Sequence, residues 1–264
     1  MKRFEEYANK YETVRMERRD GILQATLHTG GQSMVWAEIP HREVGYAFAD
    51  IGSDPENKVV ILTGTGDAFI ARGPGPKPPW AMPPEDSDRE WDVHELWDKT
   101  YWEGKRLLMN LLDIEVPVIS AVNGSARVHS EIPLLCDIVL ADEGTVFQDG
   151  GHFPRGIPSA DGVHIVFPLL MGWNRGRYFL LTGQEIDASQ ALDLGLVSEV
   201  LPPDKLLPRA WELAEQLAKQ PTLNLRYTRV ALTMHLKRML QDYLGYGLAV
   251  EGLAAVQQEL RRGS

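Results

Sequence analysis

The sequence predicts an α/β fold with parallel strand pairing. Three observations lead there. Short apolar runs suited to buried strands recur along the chain, as in "KVVILTG" (Lys58–Gly64) and "VPVISAVNG" (Val116–Gly124). Segments with helical spacing separate them. Beyond Pro203 the pattern is helical almost throughout.

The elements follow in order. Thr13–Glu17 and Ile22–His28 read as strands, with Arg19-Asp20-Gly21 as the turn between them. A helix is expected over about Ile39–Ile51, then the buried strand Lys58–Gly64. The proline-rich stretch Pro74–Pro84 cannot continue helix or sheet and reads as a loop or lid. An amphipathic helix is expected from Asp92 to Leu112, then the strand Val116–Gly124, a short helix around Glu131–Leu135 and a strand at Asp137–Leu140. Helical patterns return at Asp161–Leu170, Arg175–Thr182 and Ala188–Leu194, followed by the short strand "LVSEV". Two parts are expected: a core, residues 1–202, and a C-terminal helical segment, residues 203–264.

Composition narrows the function. The chain has 264 residues and a formal charge of −10, which argues against a nucleic-acid partner. No apolar run approaches the ~20 residues of a membrane span. The first residues are charged rather than apolar, and Cys136 is the only cysteine, so a cytoplasmic protein without internal disulfides is expected. The stretch "GTGDAFIARG" lacks the Gly-Lys-Ser/Thr of a P-loop and breaks the dinucleotide fingerprint at Phe69. Neither a Gly-x-Ser-x-Gly elbow nor zinc-site spacing occurs.

Four segments carry a resemblance: "NKVVILTGTGDAFIA", "VPVISAVNGSA" with "EIPLLCDIVLADEGTVF", "GIPSADG", and "LTGQEIDASQALDLGLVSEVLP". Together they resemble the crotonase (enoyl-CoA hydratase/isomerase) superfamily. That resemblance implies a spiral of ββα turns, a C-terminal helical trimerisation region and an oxyanion hole. Some features depart from its coenzyme-A-using members. Val128-His129-Ser130 stands where a glycine run is usual, and Ala71-Arg72-Gly73-Pro74-Gly75 replaces the usual thioester-binding segment. Of the two hydratase glutamates, one is retained as Glu131 and the other falls on His152.

The altered set is similar to the β-diketone hydrolases of the superfamily, the 6-oxocamphor hydrolase-like branch. "SMVW", "FQDG" with "HFP", "NRGRYFLLTGQE" and "LLPRAWELA" extend that likeness along most of the chain. It implies retro-Claisen cleavage of a cyclic or bicyclic β-diketone to a keto acid, with no cofactor or metal. The implied site has His152 and Asp161 as the water-activating pair, His129 and Glu251 as further catalytic groups, and Trp36 and Phe153 on the substrate. The implied partners are the small-molecule diketone and further copies of the chain, as a trimer or a dimer of trimers.

The chemistry suits these residue types. Imidazole, with an ordinary pKa of about 6.5, is matched to deprotonating water near neutrality. Asp161, nine positions on, is expected on its other nitrogen, where it would hold the tautomer. Gly150, Gly151, Gly156 and Pro158 would bend the intervening loop. Taken without the resemblance, Asp161 also reads as a helix N-cap, and His41 and His164 as structural. Two other readings stand beside the hydrolase: a coenzyme-A-dependent hydratase or lyase, favoured by Glu131, and a catalytically silent assembly protein.

Overall fold

A computed structural model describes residues 2–73 and 91–262. The proline-rich stretch Pro74–Pro84 lies outside the described residues. The chain opens with a hairpin, β1 (Val14–Arg19) and β2 (Ile22–Leu27). Asp20 and Gly21 both take positive φ, +52° and +79°, the geometry of a two-residue turn that matches strand twist. Helix α1 (Glu38–Gly52) follows, then β3 (Val59–Gly64) and the short β4 (Ala68–Ile70).

From β3 onward the chain winds in ββα turns. Helix α2 (Val93–Asp113) leads to β5 (Val118–Val122), β6 (Ser125–Ala126) and α3 (Glu131–Leu134). Next come β7 (Ile138–Asp142), β8 (Val146–Phe147), α4 (Val163–Met171) and α5 (Trp173–Thr182). The last elements are β9 (Ile186–Asp187), α6 (Ala188–Asp193), β10 (Glu199–Leu201), α7 (Pro203–Ala218) and α8 (Thr222–Arg262). Each turn places one strand in each of two sheets. The larger runs β1-β2-β3-β5-β7-β10 and is parallel from β2 onward. The smaller runs β4-β6-β8-β9. These four strands are two or three residues long, too short for any periodicity, and were not expected from the sequence.

Burial explains the continuous apolar runs. All five residues of β5 are buried, because helices cover both faces of the large sheet. On one face Leu206, Ala210 and Ala214 of α7 pack on Ile22, Val59, Ile61, Ile119 and Leu140. On the other, Val44 and Phe48 of α1 and Leu107, Leu108 and Leu111 of α2 join one core with β2, β3 and β5. The "AVNG" motif locks neighbouring turns together. Asn123 accepts a hydrogen bond from the Gly64 amide at 2.8 Å and donates to the Gly66 carbonyl at 3.0 Å. Gly124 has φ +92°, and a Cβ there would sit 1.9 Å from the Asp67 carbonyl oxygen.

Two features fix the ends of α2. Asp92 caps its start, accepting from the amides of His94 and Glu95 at 2.8 and 2.9 Å. Arg229 of α8, 2% exposed, closes its other end. Its guanidinium donates to Asp137 at 2.6 Å and to the carbonyls of Leu111, Leu112 and Ile114. A cation is well placed against the otherwise open carbonyls of a helix C-terminus. Helix α8 runs past Gly245, Gly247 and Gly252 instead of stopping at Leu244, because these glycines sit against Tyr101, Ala160 and Trp97.

Candidate active site

The loop from Phe147 to Asp161 turns back on itself. A single 3-10 turn, Phe153–Arg155, follows His152, and Gly156 takes φ +75°. Ser159 then donates to Asp149 Oδ2 at 2.5 Å, and the other oxygen of Asp149 lies 2.5 Å from His152 Nδ1. A carboxylate at Nδ1 keeps the proton there and turns Nε2 toward the cluster. Nε2 faces Asp161 Oδ2 at 3.3 Å and Glu251 Oε1 at 3.6 Å. The side chains of His152 and Asp161 therefore meet. The sequence reading did not include Asp149, three residues before the histidine, which occupies the other ring nitrogen.

Asp161 is not a helix cap. Helix α4 begins two residues later, after Gly162, with no side-chain cap. Gly162 has φ +121°, and a Cβ on it would lie 2.3 Å from Leu108 Cδ1, so this glycine lets the chain pass α2 while Asp161 points inward. Both Asp161 oxygens are buried without a well-aligned hydrogen bond.

His129 forms the opposite wall. It has φ +48°, uncommon for a residue with a side chain. Its Nδ1 lies 2.8 Å from Glu131 Oε1 and 3.4 Å from Asp161 Oδ2. Trp36 covers the imidazole, with ring centres 4.2 Å apart. Trp36 also meets His41 edge-on at 5.8 Å, and His41 Nδ1 lies 3.0 Å from Glu103. Lys99 in turn pairs with Glu103 at 3.0 Å.

These groups are almost closed off from water, and their charges answer to one another. Burial pushes the His152 imidazole toward its neutral form, but Asp161, Asp149 and Glu251 outweigh it and hold its pKa well above the ordinary value. Burial raises the Asp161 carboxyl, and His152 and His129 overcome that and keep it ionised far into acid. Burial pushes Glu251 up to about 8; the carboxylates of Asp161 and Asp149 add to this against the pull of His152. Burial lowers His41, and Glu103 does not fully compensate.

His152, Asp161, His129, Glu251 and Trp36 therefore come together. Phe153 does not join them. The 3-10 turn that starts at Phe153 leaves its ring 49% exposed. There it lines an outer apolar groove of about 720 Å³ with Ile157, Pro168, Trp173 and Leu180. Asp149 and His41 were missed. "FQDG" carried a signal for Asp149, since a carboxylate three residues before a histidine can fold onto it. His41 carried none, because only the packing of α1 against α2 brings it to Trp36. His129, Glu131 and Asp161 lie close enough to share a cation, though His129 already bonds Glu131 directly.

The architecture agrees with what similar proteins show. The profile of the enoyl-CoA hydratase/isomerase family matches residues 18–261. The chain belongs to that family, the crotonase superfamily, and is one of its enzymes. Carnitinyl-CoA dehydratase of Citrobacter koseri is 29% identical over 219 residues, 80% of this chain and 77% of its own. YngF of Bacillus subtilis is 31% identical over 221 residues, 82% of this chain and 78% of its own. A β-diketone hydrolase from the cyanobacterium Anabaena sp. PCC 7120, solved with (S)-3-oxocyclohexyl acetic acid bound, is 52% identical. Its structure matches with a TM-score of 0.86, over 96% of this chain and 98% of that one. Among the described residues, no helix is long and apolar enough to cross a membrane.

Proposed function

We propose that this enzyme hydrolyses a carbon–carbon bond of cyclic or bicyclic β-diketones by a retro-Claisen reaction. The observation that carries the reading is His152, held by Asp149 at Nδ1 while Nε2 opens toward Asp161 and Glu251. The 52% identity to a β-diketone hydrolase supports it. That relative's bound keto acid also suggests a substrate shape. Joining its carboxyl carbon to the ring carbon beside the ketone, across the ring, gives bicyclo[2.2.2]octane-2,6-dione.

In the reaction, water bound beside His152 Nε2, within reach of Asp161 and Glu251, attacks one carbonyl carbon. Its proton passes to Nε2, and the new imidazolium lies between Asp149 and Asp161. The bond from that carbon to the carbon shared with the second carbonyl breaks. The electron pair becomes an enolate, whose oxygen takes a hydrogen bond from His129. Such a donor contributes about 2.7–4 kcal/mol to the transition state. His152 then returns the proton to the enolate carbon, giving a keto acid, with one water consumed overall.

The test is direct. The full chain is mixed with bicyclo[2.2.2]octane-2,6-dione while diketone absorbance is followed and keto acid is measured by chromatography. Turnover that His152→Ala abolishes supports the reading. No turnover by folded protein across a panel of cyclic 1,3-diketones sinks it. The coenzyme-A-dependent hydratase reading draws on the family match and on retained Glu131. Hydration of crotonyl-CoA, dependent on Glu131, would favour it instead.

A further inference from the structure

Glu131 takes no part in the steps above, yet it is fully buried and its Oε2 has no hydrogen-bond partner. In a low-dielectric site an uncompensated carboxylate is costly, so its presence needs a physical reason. The site contains two imidazoles, each with Nδ1 on a buried glutamate, both packed against Trp36 with their ring centres 6.2 Å apart. These are His129 on Glu131 at 2.8 Å and His41 on Glu103 at 3.0 Å. The two pairs differ in what else touches the glutamate. Glu103 also faces the Lys99 ammonium at 3.0 Å, a cation it shares with Glu38 at 2.9 Å. No lysine or arginine is paired with Glu131 among the described residues, and the nearby Asp161 carboxylate, 3.4 Å from His129 Nδ1, adds to the negative field.

The imidazoles respond in opposite directions. Burial lowers both, but at His129 the charges of Glu131 and Asp161 reverse the effect, whereas at His41 the Glu103 carboxylate does not. Glu131 itself is raised by burial and by Asp161, and lowered by His129. The left-handed backbone at His129 folds its ring back onto a carboxylate only two residues on. Trp36 covers the ring, leaving Nε2 without a protein hydrogen bond among the described residues.

We propose that Glu131 is a positioning residue: it keeps one proton on His129 Nδ1 and a second on Nε2, so that Nε2–H donates to the oxygen that becomes the enolate. A glutamate that resembles a hydratase acid would thus act through a histidine rather than on water. The donor role rests on the proposed hydrolase reaction; the protonation of His129 does not. Other charged groups facing His129 are Asp161 and His152 from the loop, Glu251 from α8 and His41 from α1.

The experiment is a pH titration of the full chain labelled with 15N-histidine, with Glu131→Gln beside it. Glutamine keeps an acceptor for Nδ1–H and removes the charge. In the unaltered protein His129 should carry two N–H groups at pH 7. In Glu131→Gln its midpoint should fall and one N–H should be lost. With diketone, kcat should drop about 10- to 100-fold while KM changes little, short of the roughly 100- to 1,000-fold for deleting an oxyanion donor. A neutral His129 at pH 7 in the unaltered protein overturns the proposal, even if the variant fails to fold. So does an unchanged midpoint or an unchanged kcat in folded Glu131→Gln. A shifted midpoint in a chain that turns over no diketone would uphold the Glu131–His129 coupling and reject the reaction.

Discussion

Asp149 and Asp161 lie on opposite nitrogens of His152, at 2.5 Å from Nδ1 and 3.3 Å from Nε2. One imidazole is thus held by a carboxylate that is itself anchored by Ser159, and meets a second carboxylate directly at its other nitrogen. The two aspartates should therefore fail differently when changed.

Asp149→Asn should lower kcat by about 10²- to 10⁴-fold, the range for losing a base or the group that sets its tautomer. The pH profile carries the sign. His152 acts as a base only when neutral, and its pKa is raised by Asp161 and Asp149 against the downward pull of burial. Activity should thus rise with pH through that raised value. Without the Asp149 charge the acid limb should move to lower pH. A limb that stays in place means another group controls it.

Glu251→Gln should change how stability depends on pH. Burial raises the folded carboxyl from 4.5 to about 8, with Asp161 adding and His152 opposing. Between those values the folded chain binds more protons at this site than the unfolded chain, so this group makes stability fall as pH rises. The loss starts near 4.5 and is complete above about 8. Glutamine has no proton to lose, so melting curves of the variant should decline less over that window. Parallel curves would show that Glu251 ionises at no cost.

Arg229→Met should destabilise the fold by about 3 kcal/mol, because Asp137 and the last carbonyls of α2 lose a buried cation. Urea unfolding monitored by circular dichroism measures this. A change under about 1 kcal/mol would show that water replaces the guanidinium.

Gly162→Ala should cost about 1–3 kcal/mol and at least tenfold in kcat, since φ +121° disfavours a side chain and Asp161 is its neighbour. Adding Leu108→Ala relieves the steric contact but not the backbone strain. Full rescue by that second change would assign the whole effect to the clash.

The elements that could be read in advance were those whose pattern is local. β3 and β5 are unbroken apolar runs because both faces of the sheet are covered, and α2 starts where Asp92 caps it. The strands of the second sheet could not be read, since two or three residues hold no period and pairing alone defines them. The long α8 also exceeded its pattern, because three glycines that weaken a free helix fit against Tyr101, Ala160 and Trp97.

The site divides in the same way. Residue types set the chemistry within reach: His152 and His129 as proton carriers, Asp161 and Glu251 as acids, Trp36 as an aromatic wall. Which nitrogen meets which carboxylate depended on how a 15-residue loop folds back, with Ser159 pinning Asp149. Bringing His41 to Trp36 and Glu251 to His152 depended on α1, α2 and α8 converging from distant parts of the chain. Sequence by itself determined the family, the helices and strands with a period of their own, and the stock of reactive side chains. Only tertiary structure decided their partners and charges, because burial and neighbouring carboxylates act through space, over a few ångströms that chain order does not encode.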